Sequence, residues 1–472
     1  MLYRQISMCY VHYVESVNMG VFAVYLETKE GYKLINILVN KKYSVSVTDG
    51  YSHMLQSELQ AIIIQKGYQV RATEECADYS ANVIILVAQY SHEVRGKWIS
   101  HVCNDADSNC LIIVCGRMAT LDWEYLLTNN QRLDCVVLGE PFEAIPELIK
   151  HVVDGADRDL SNIYGIAYLD KDTHKPVKTD FRHAMKDYDS LPISKPEYIK
   201  DIQPMNRTYY LETSYECYGR CNFCAGHLYR KANPCRYSCK SIDRIIAEIK
   251  FITNNYGVRI FNFYDENFFM DGKTGVLRAY NLAKKIIDER LHIRFTIEAR
   301  ASDIDIEIID ILKKAGLYMV FLGVESGAQT VLDRYCKETT VDQNVNAMKI
   351  LSLRNVKCYP GYILFDPITT DAELLQTTQL FLEFSDNLYS YQLSNDSSLL
   401  YFPKGCAFLT KMIQQGIYIN EYDVDSNNYP FIDEKIARIH KKYLSEVYNC
   451  ELEPKDYMKS RMTLLEKIIL DI

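Results

Sequence analysis

The sequence predicts an α/β protein of two folded units, a doubly wound parallel-sheet domain followed by a partial parallel barrel, with a helical C-terminal region after them. Three observations predict this. Short apolar runs alternate with helix-period segments from about Lys41 to Val153. Four of the 12 prolines, Pro176, Pro192, Pro196 and Pro204, crowd into residues 161–204 among many charged residues, the composition of an irregular connector. A second strand–helix series begins at Thr208, and regular alternation of that kind favours a parallel barrel. The expected divisions are an N-terminal extension at 1–40, the first α/β domain at 41–155, a linker at 156–204, the barrel at 205–400 and the helical region at 401–472.

In the extension, apolar residues run from Val21 to Leu26 and from Leu34 to Val39, with a turn at Lys29-Glu30-Gly31, which reads as a hairpin. Ser44 to Thr48 reads as the first strand of the α/β domain. Leu55, Leu59, Ile62 and Ile63 then recur at helical spacing, and Gly67 stops that helix. The runs Val83–Val87, Leu111–Val114 and Val136–Leu138 suit strands buried on both faces of a parallel sheet, so the domain is Rossmann-like. In the second series, Ile242, Ile245, Ile246, Ile249 and Ile252 mark a helix, and Ile260–Tyr264 a strand. Leu282, Ala283, Ile286 and Ile287 mark the next helix, and Ile293–Ala299 the next strand. Ile308, Ile309, Ile311 and Leu312 form a third helix that Gly316 stops. Met319–Val324 and Tyr362–Phe365 complete the strands.

The whole chain has 472 residues, 48% hydrophobic and 24% charged, the balance of an ordinary globular protein too long for one core. A net charge of −9 makes nucleic acid a poor partner, since duplex binding needs clustered Lys and Arg. There is no apolar run long enough to span a bilayer, and Met1–Gly20 does not have the form of a signal peptide. The expected compartment is therefore the reducing cytoplasm, where 15 cysteines are thiols or metal ligands rather than a disulfide framework.

The segment Glu216-Cys-Tyr-Gly-Arg-Cys-Asn-Phe-Cys224 places Cys217, Cys221 and Cys224 in a C-x3-C-x2-C spacing. Thiolates are the natural ligands of iron–sulfur clusters, and three of them leave one iron of a 4Fe–4S cube open. An open position separates a reactive metal centre from a closed structural one. A zinc knuckle with His227 or Cys235 as fourth ligand is the alternative. The loop, including Phe223 before the last cysteine, resembles the signature of the radical S-adenosylmethionine (SAM) superfamily. That resemblance runs through about Arg207 to Leu400 and implies a TIM-type partial barrel. It further implies a cluster whose open iron chelates SAM, and reductive cleavage to a 5′-deoxyadenosyl radical that abstracts hydrogen from a C–H bond. The electron donor it implies is a protein such as flavodoxin or ferredoxin.

Three further segments carry the resemblance. In Ile293–Arg300, Arg294, Thr296, Glu298 and Arg300 alternate with apolar residues and fall on the face that points into a barrel lumen. By resemblance, Glu298 and Arg300 are partners for the ribose hydroxyls and the carboxylate of SAM. A solvated edge strand is the alternative. Tyr264, Asp265 and Glu266 end the second barrel strand and match the position that contacts the amino group, where acceptors suit an ammonium; a polar helix-capping loop would look the same. Glu325 and Ser326, in Gly323-Val-Glu-Ser-Gly327, match a segment that lies against the cofactor. All three lie at C-terminal strand ends, where such barrels gather their catalytic groups.

An α/β domain ahead of such a barrel is the layout of the cobalamin-binding subclass, and Val137-Leu138-Gly139-Glu140 resembles the end of that domain's last strand. The usual cobalamin loop, Asp-x-His-x-x-Gly, is absent. Asp49-Gly50-Tyr51-Ser52-His53-Met54 displaces the histidine and lacks the glycine, so His53 reads as a helix-start residue and cobalamin is doubtful. Cys336, Cys358 and Cys406 are candidate thiols for returning hydrogen to a substrate radical, although a buried cysteine also serves as a small apolar residue. Cys235 and Cys239 are too few for a second cluster. Asp366-Pro367 reads as a turn. The expected function is hydrogen abstraction from a peptide or natural product without cobalamin, as in an epimerase or dehydratase. The alternatives are a cobalamin-dependent radical C-methyltransferase and a non-enzymatic iron–sulfur or zinc protein.

Overall fold

The computed structural model describes residues 21–25, 35–40, 50–68, 71–73, 82–89, 97–155, 157–183, 185–196, 199–200, 207–215, 217–232, 238–389, 399–400, 403–417, 429–447 and 457–472. The chain divides into two compact units, Met1–Arg182 and His183–Ile472.

The first unit holds strands β1 (Val21–Tyr25), β2 (Ile35–Asn40), β3 (Arg71–Thr73), β4 (Val83–Val87), β5 (Leu111–Cys115), β6 (Cys135–Val137), β7 (Ile166–Leu169) and β8 (Pro176–Lys178). Among the described residues they form one sheet in the order β3-β1-β2-β4-β5-β6-β7-β8. Strands β2, β4, β5 and β6 run parallel. Every residue of β4, β5 and β6 is buried, as unbroken apolar runs require. The chain leaves β2 through helix Gly50–Gln65 to β3 on one side, then returns to β4 on the other, so the winding reverses between β2 and β4. The α/β, doubly wound class holds.

The expected divisions do not. The hairpin forms, with Phe22 opposite Val39, but it is no extension, because β2 pairs directly with β4 inside the sheet. The connector also contributes two strands, β7 and β8, which add antiparallel to β6. Pro176 made that stretch read as irregular; it begins β8 on the outer edge of the sheet, where a missing N–H costs no ladder bond. The strand expected at Ser44–Thr48 lies outside the described residues.

The second unit carries β9 (Thr208–Leu211), β12 (Ile260–Phe263), β13 (Arg294–Arg300), β14 (Leu317–Glu325) and β15 (Lys357–Tyr362), parallel and in sequential order. A short antiparallel pair, β10 (Ser214–Tyr215) and β11 (Ser238–Cys239), stands beside them. The five strands form the sheet of a partial barrel, and past β15 Phe365 makes an isolated parallel bridge to Leu399. Phe295, Ile297 and Ala299 of β13 pack into the core with Leu282, Ile286, Ile309 and Leu312 of the flanking helices. The other face is polar, with Thr296 Oγ1 donating to Asn262 Oδ1 at 2.9 Å. Helices start where their sequences say they should: Ser241 caps one, and capping boxes Thr340/Gln343 and Thr370/Glu373 open two others.

The second half of the connector belongs to this unit, with Tyr188 stacked on Tyr215 at 4.0 Å and Ser194 Oγ 2.7 Å from Tyr209 OH. The C-terminal helices Glu434–Val447 and Tyr457–Asp471 are not a separate region either. Ile436, Ile439, Met462 and Leu465 share the barrel core. The fully buried Arg461 donates to the hydroxyls of Tyr443 and Tyr457 at 2.7 and 2.9 Å.

His440 on the first of these helices packs against Phe365 and Phe431, at 4.8 and 5.2 Å between ring centroids. Burial lowers its pKa from 6.5 to about 4. The unfolded chain therefore binds a proton that the folded chain refuses, so this contribution is complete above about pH 6.5 and is lost as pH falls toward 4. Denaturation midpoints measured across that window should fall in the wild type and fall less in His440→Phe. Parallel pH profiles would refute it.

Candidate active site at the cysteine loop

The loop from Cys217 to Cys224 leaves β10 and runs into helix Ala225–Ala232. Hydrogen bonds from four directions hold it. Tyr218 N–H donates to the Met270 carbonyl at 3.2 Å, and its hydroxyl donates to Asp303 Oδ1 at 2.6 Å. Asn267, itself fully buried, donates to the other Asp303 oxygen at 3.0 Å. Asn222 N–H donates to the Tyr335 carbonyl at 3.0 Å, and its side-chain amide to the Arg334 carbonyl at 2.8 Å. Arg230 donates to the Gly219 carbonyl. These bonds tie the loop to the barrel, and the three sulfurs hang from it.

Arg300, 4% exposed at the end of β13, reaches across this loop. Its Nη1 lies 3.5 Å from Cys221 Sγ, its Nη2 donates to the Lys337 carbonyl, and the guanidinium sits over the Tyr218 ring at 5.0 Å. Gly219 passes so close that a Cβ there would lie 2.3 Å from Arg300 Nη1 and 3.3 Å from Cys217 Sγ. The Glu266 carboxylate lies against the first turn of the helix after the loop, within 2.8 Å of where a Cβ on Gly226 would be. Burial pushes the Cys217 thiol up to about 11, and burial with Glu266 also raises Cys224. Cys224 feels the charge of Cys221, and Cys217 that of Cys224, so the three sulfurs share one electrostatic neighbourhood.

This donor set suits an iron–sulfur cube. Among the described residues no three His, Cys, Asp or Glu side chains converge to hold a single metal ion. A cube takes one thiolate for each of three irons, and Cys217, Cys221 and Cys224 supply three. His227 instead lies 3.4 Å from Arg230 Nη2, and Cys235 is outside the described residues.

The other residues chosen from sequence divide. Phe223 packs edge-on to Tyr335 at 5.1 Å, beside the loop. Glu298 stands on the polar face of β13, half-buried, as expected. Tyr264 meets Tyr210 at 5.9 Å on the neighbouring strand. Asp265 is fully buried, and its carboxylate accepts from Thr213 N–H at 2.6 Å, Thr213 Oγ1 at 2.5 Å and Ser214 N–H at 2.9 Å. It clamps the end of β9 to β12 rather than presenting itself to a ligand. Ser326 is likewise a turn residue, 2.7 Å from Thr377 Oγ1 and accepting from Ala328 N–H at 3.1 Å. Glu325 pairs with Lys337 at 2.7 Å.

Of the candidate thiols, Cys358 is fully buried among the core side chains of β15, and burial raises it to about 12; it packs as an apolar residue. Cys406 is buried in a second apolar cluster, caps the next helix by accepting from Leu409 N–H at 3.3 Å, and is raised by burial to about 11. Cys336 is exposed, and Asn222 donates to its sulfur at 3.5 Å, which sets it beside the cysteine loop. Tyr218, Asn222, Asp303 and Lys337 were not found from sequence. The first two lie inside the motif itself, so the loop's own spacing was their signal; the last two have none.

A partial barrel with these groups at the carboxyl ends of its strands is the framework of an enzyme. The chain matches the pattern of the radical SAM superfamily over residues 211–381. Its relatives include an uncharacterised methyltransferase of Pyrococcus horikoshii, 24% identical over 72% of this chain and 70% of that protein. The anaerobic magnesium-protoporphyrin IX monomethyl ester cyclase of Cereibacter sphaeroides is 24% identical over 60% of this chain, which spans only 46% of that enzyme. Among solved structures, the cobalamin-dependent SAM radical enzyme OxsB with aqua-cobalamin bound superposes with a TM-score of 0.71 at 15% identity. That match covers 90% of this chain and 71% of the other, and it shows the fold of the subclass with an N-terminal cobalamin-binding-like domain. A domain matching this superfamily indicates an enzyme, against the non-enzymatic alternative. Among the described residues no helix is long and apolar enough to cross a membrane.

Asp265→Ala leaves two backbone donors and one hydroxyl without their acceptor. The expected cost is on the order of 3 kcal/mol, read as a lower denaturant midpoint of the metal-free protein. A stability equal to wild type would show that the clamp is not structural.

Proposed function

We propose that Cys217, Cys221 and Cys224 hold a 4Fe–4S cluster and that the chain is a cobalamin-dependent radical SAM methyltransferase of a peptide or small molecule. The supporting observation is the fold match to a cobalamin-bearing radical enzyme over 90% of the chain, which takes in both units rather than the barrel alone. The Pyrococcus relative, named a methyltransferase, supports the reaction class. The sequence alone favours hydrogen abstraction without cobalamin, and the relatives move that order. The cluster, when bound, supplies the electron for reductive cleavage of SAM. Around it, Glu298 presents a carboxylate from the lumen face for the ribose hydroxyls. Glu266 takes the amino-group role that Asp265 cannot fill, and Arg300 holds the Cys221 strand of the loop. Phe223 walls the loop, and the exposed Cys336 serves as the thiol that meets a substrate radical. A one-electron protein such as flavodoxin or ferredoxin is the donor.

The first unit offers the carboxyl ends of β4, β5 and β6 as a ligand edge, where open α/β sheets bind. Gly139 N–H is held there by Thr120 Oγ1 at 3.0 Å. Among the described residues, the histidine nearest the usual ligand position, His53, falls in the first turn of helix Gly50–Gln65. The residues therefore do not fit a histidine-ligated corrinoid, and no step is routed through one. That misfit favours a second reading, a radical enzyme that uses no cobalamin, and the cyclase relative shows that a relative need not be named for methyl transfer.

Anaerobic purification and reconstitution with iron and sulfide test this. Iron should load onto the wild type and be lost in Cys221→Ala, and reduction should release 5′-deoxyadenosine or S-adenosylhomocysteine. A corrinoid absorbance and a product heavier by one methyl group support the first reading. Loaded iron with no corrinoid and a product of unchanged or lower mass would move the assignment to the second. Wild-type protein that binds no iron would end both.

A further inference from the structure

Lys337 is absent from every residue pattern in the sequence, yet it bridges the strand end at Glu325 and the arginine on the cysteine loop. It is 5% exposed, and its ammonium lies 2.7 Å from Glu325 Oε1. The ammonium crosses Gly323 so closely that a Cβ there would lie 2.7 Å from Nζ. Its carbonyl accepts from Arg300 Nη2, while Arg300 Nη1 reaches Cys221 Sγ at 3.5 Å. One residue therefore touches Glu325 with its side chain and the arginine on the cysteine loop with its backbone. Glu325, for its part, closes β14 with φ +62, a left-handed conformation that strains a non-glycine residue. Burial opposes the lysine charge, but Glu325 and Cys221 sustain it, so the ammonium stays protonated above its ordinary value.

We propose that Lys337 is a positioning residue of the cluster site, whose buried ammonium raises the cluster's reduction potential while its pairing with Glu325 fixes the turn that ends β14. This rests on the cluster being held by Cys217, Cys221 and Cys224. Reduction adds a negative charge to a centre already carrying thiolate charge. A cation fixed nearby in a poorly solvated site stabilises the reduced form more than the oxidised one, and net charge and hydrogen bonding are what set such potentials. Glu325 partly offsets that cation. Removing the lysine and removing the carboxylate should therefore move the potential in opposite directions, which loss of packing alone would not do.

The test is an EPR-monitored redox titration of the reconstituted full-length protein, with iron and sulfide counted in each sample. In Lys337→Met the ratio of reduced to oxidised cluster at a fixed poise should fall about tenfold, a shift of about 59 mV for one electron. Lys337→Arg should restore the wild-type midpoint, and Glu325→Gln should move it upward. A fully loaded Lys337→Met cluster with an unshifted midpoint would overturn the proposal. So would a Glu325→Gln midpoint that stays put or moves downward, and this second variant decides the matter if Lys337→Met fails to load. Iron missing from the wild type would instead remove the reading beneath the proposal.

Discussion

The contact between Arg300 and the cysteine loop organises the second unit's site. One guanidinium touches Cys221 Sγ, the Lys337 carbonyl and the Tyr218 ring, and leaves no room for a side chain at residue 219. It comes from the last residue of β13, so the position of the loop is referred to the rigid sheet rather than to another loop. A site carried on a strand end is held more tightly than one carried on surface segments. A lysine in place of Arg300 would bring one compact charge instead of a planar fork and would lose at least one of these contacts.

Around that contact buried polar groups are linked into one network. Asp303 takes both the Tyr218 hydroxyl and the Asn267 amide. Asp366, fully buried, takes the Tyr335 hydroxyl at 2.7 Å and pairs with Arg334 at 3.2 Å, while Arg334 also pairs with Glu373 at 3.0 Å. Tyr335 and Arg334 in turn receive the Asn222 donors through their carbonyls. The strap from Arg334 to Thr339 is thereby fixed on one side by carboxylates of the barrel and on the other by the cysteine motif. Removing one partner of a buried pair costs more than the pair contributes, because the other charge is stranded. The network therefore acts as a unit.

Much of this was legible in the sequence, and the failures have a common cause. Strand β13 was read correctly because its alternation is local: apolar residues face the helices and polar ones the lumen. The cysteine spacing is equally local. Asp265 and Ser326 were misread because a carboxylate or hydroxyl at a strand end can turn inward to tie the backbone or outward to a ligand, and the same residues serve both. Only the placement of Thr213 and Thr377 decides between them. Cys358 takes the apolar packing role that a buried cysteine commonly has, on the core face of β15. Lys337 was missed because its pairing with Glu325 spans a turn, a helix and a strap, and no periodicity marks it. The domain divisions failed at Pro176, where a local irregularity signal met an edge strand that tolerates it.

The glycines of the site follow a related logic. Gly219 admits Arg300, Gly226 admits Glu266 and Gly323 admits Lys337; in each case a Cβ would fall within 3 Å of a charged atom. None of the three has a positive φ, so backbone freedom does not explain them. What they share is that a charged group is packed directly onto main chain beside the three thiols. Charge brought that near acts through protein rather than water, where its effect on a neighbouring centre is several-fold larger. A small residue at these points thus sets how closely each fixed charge approaches the main chain, and so how strongly its field acts there.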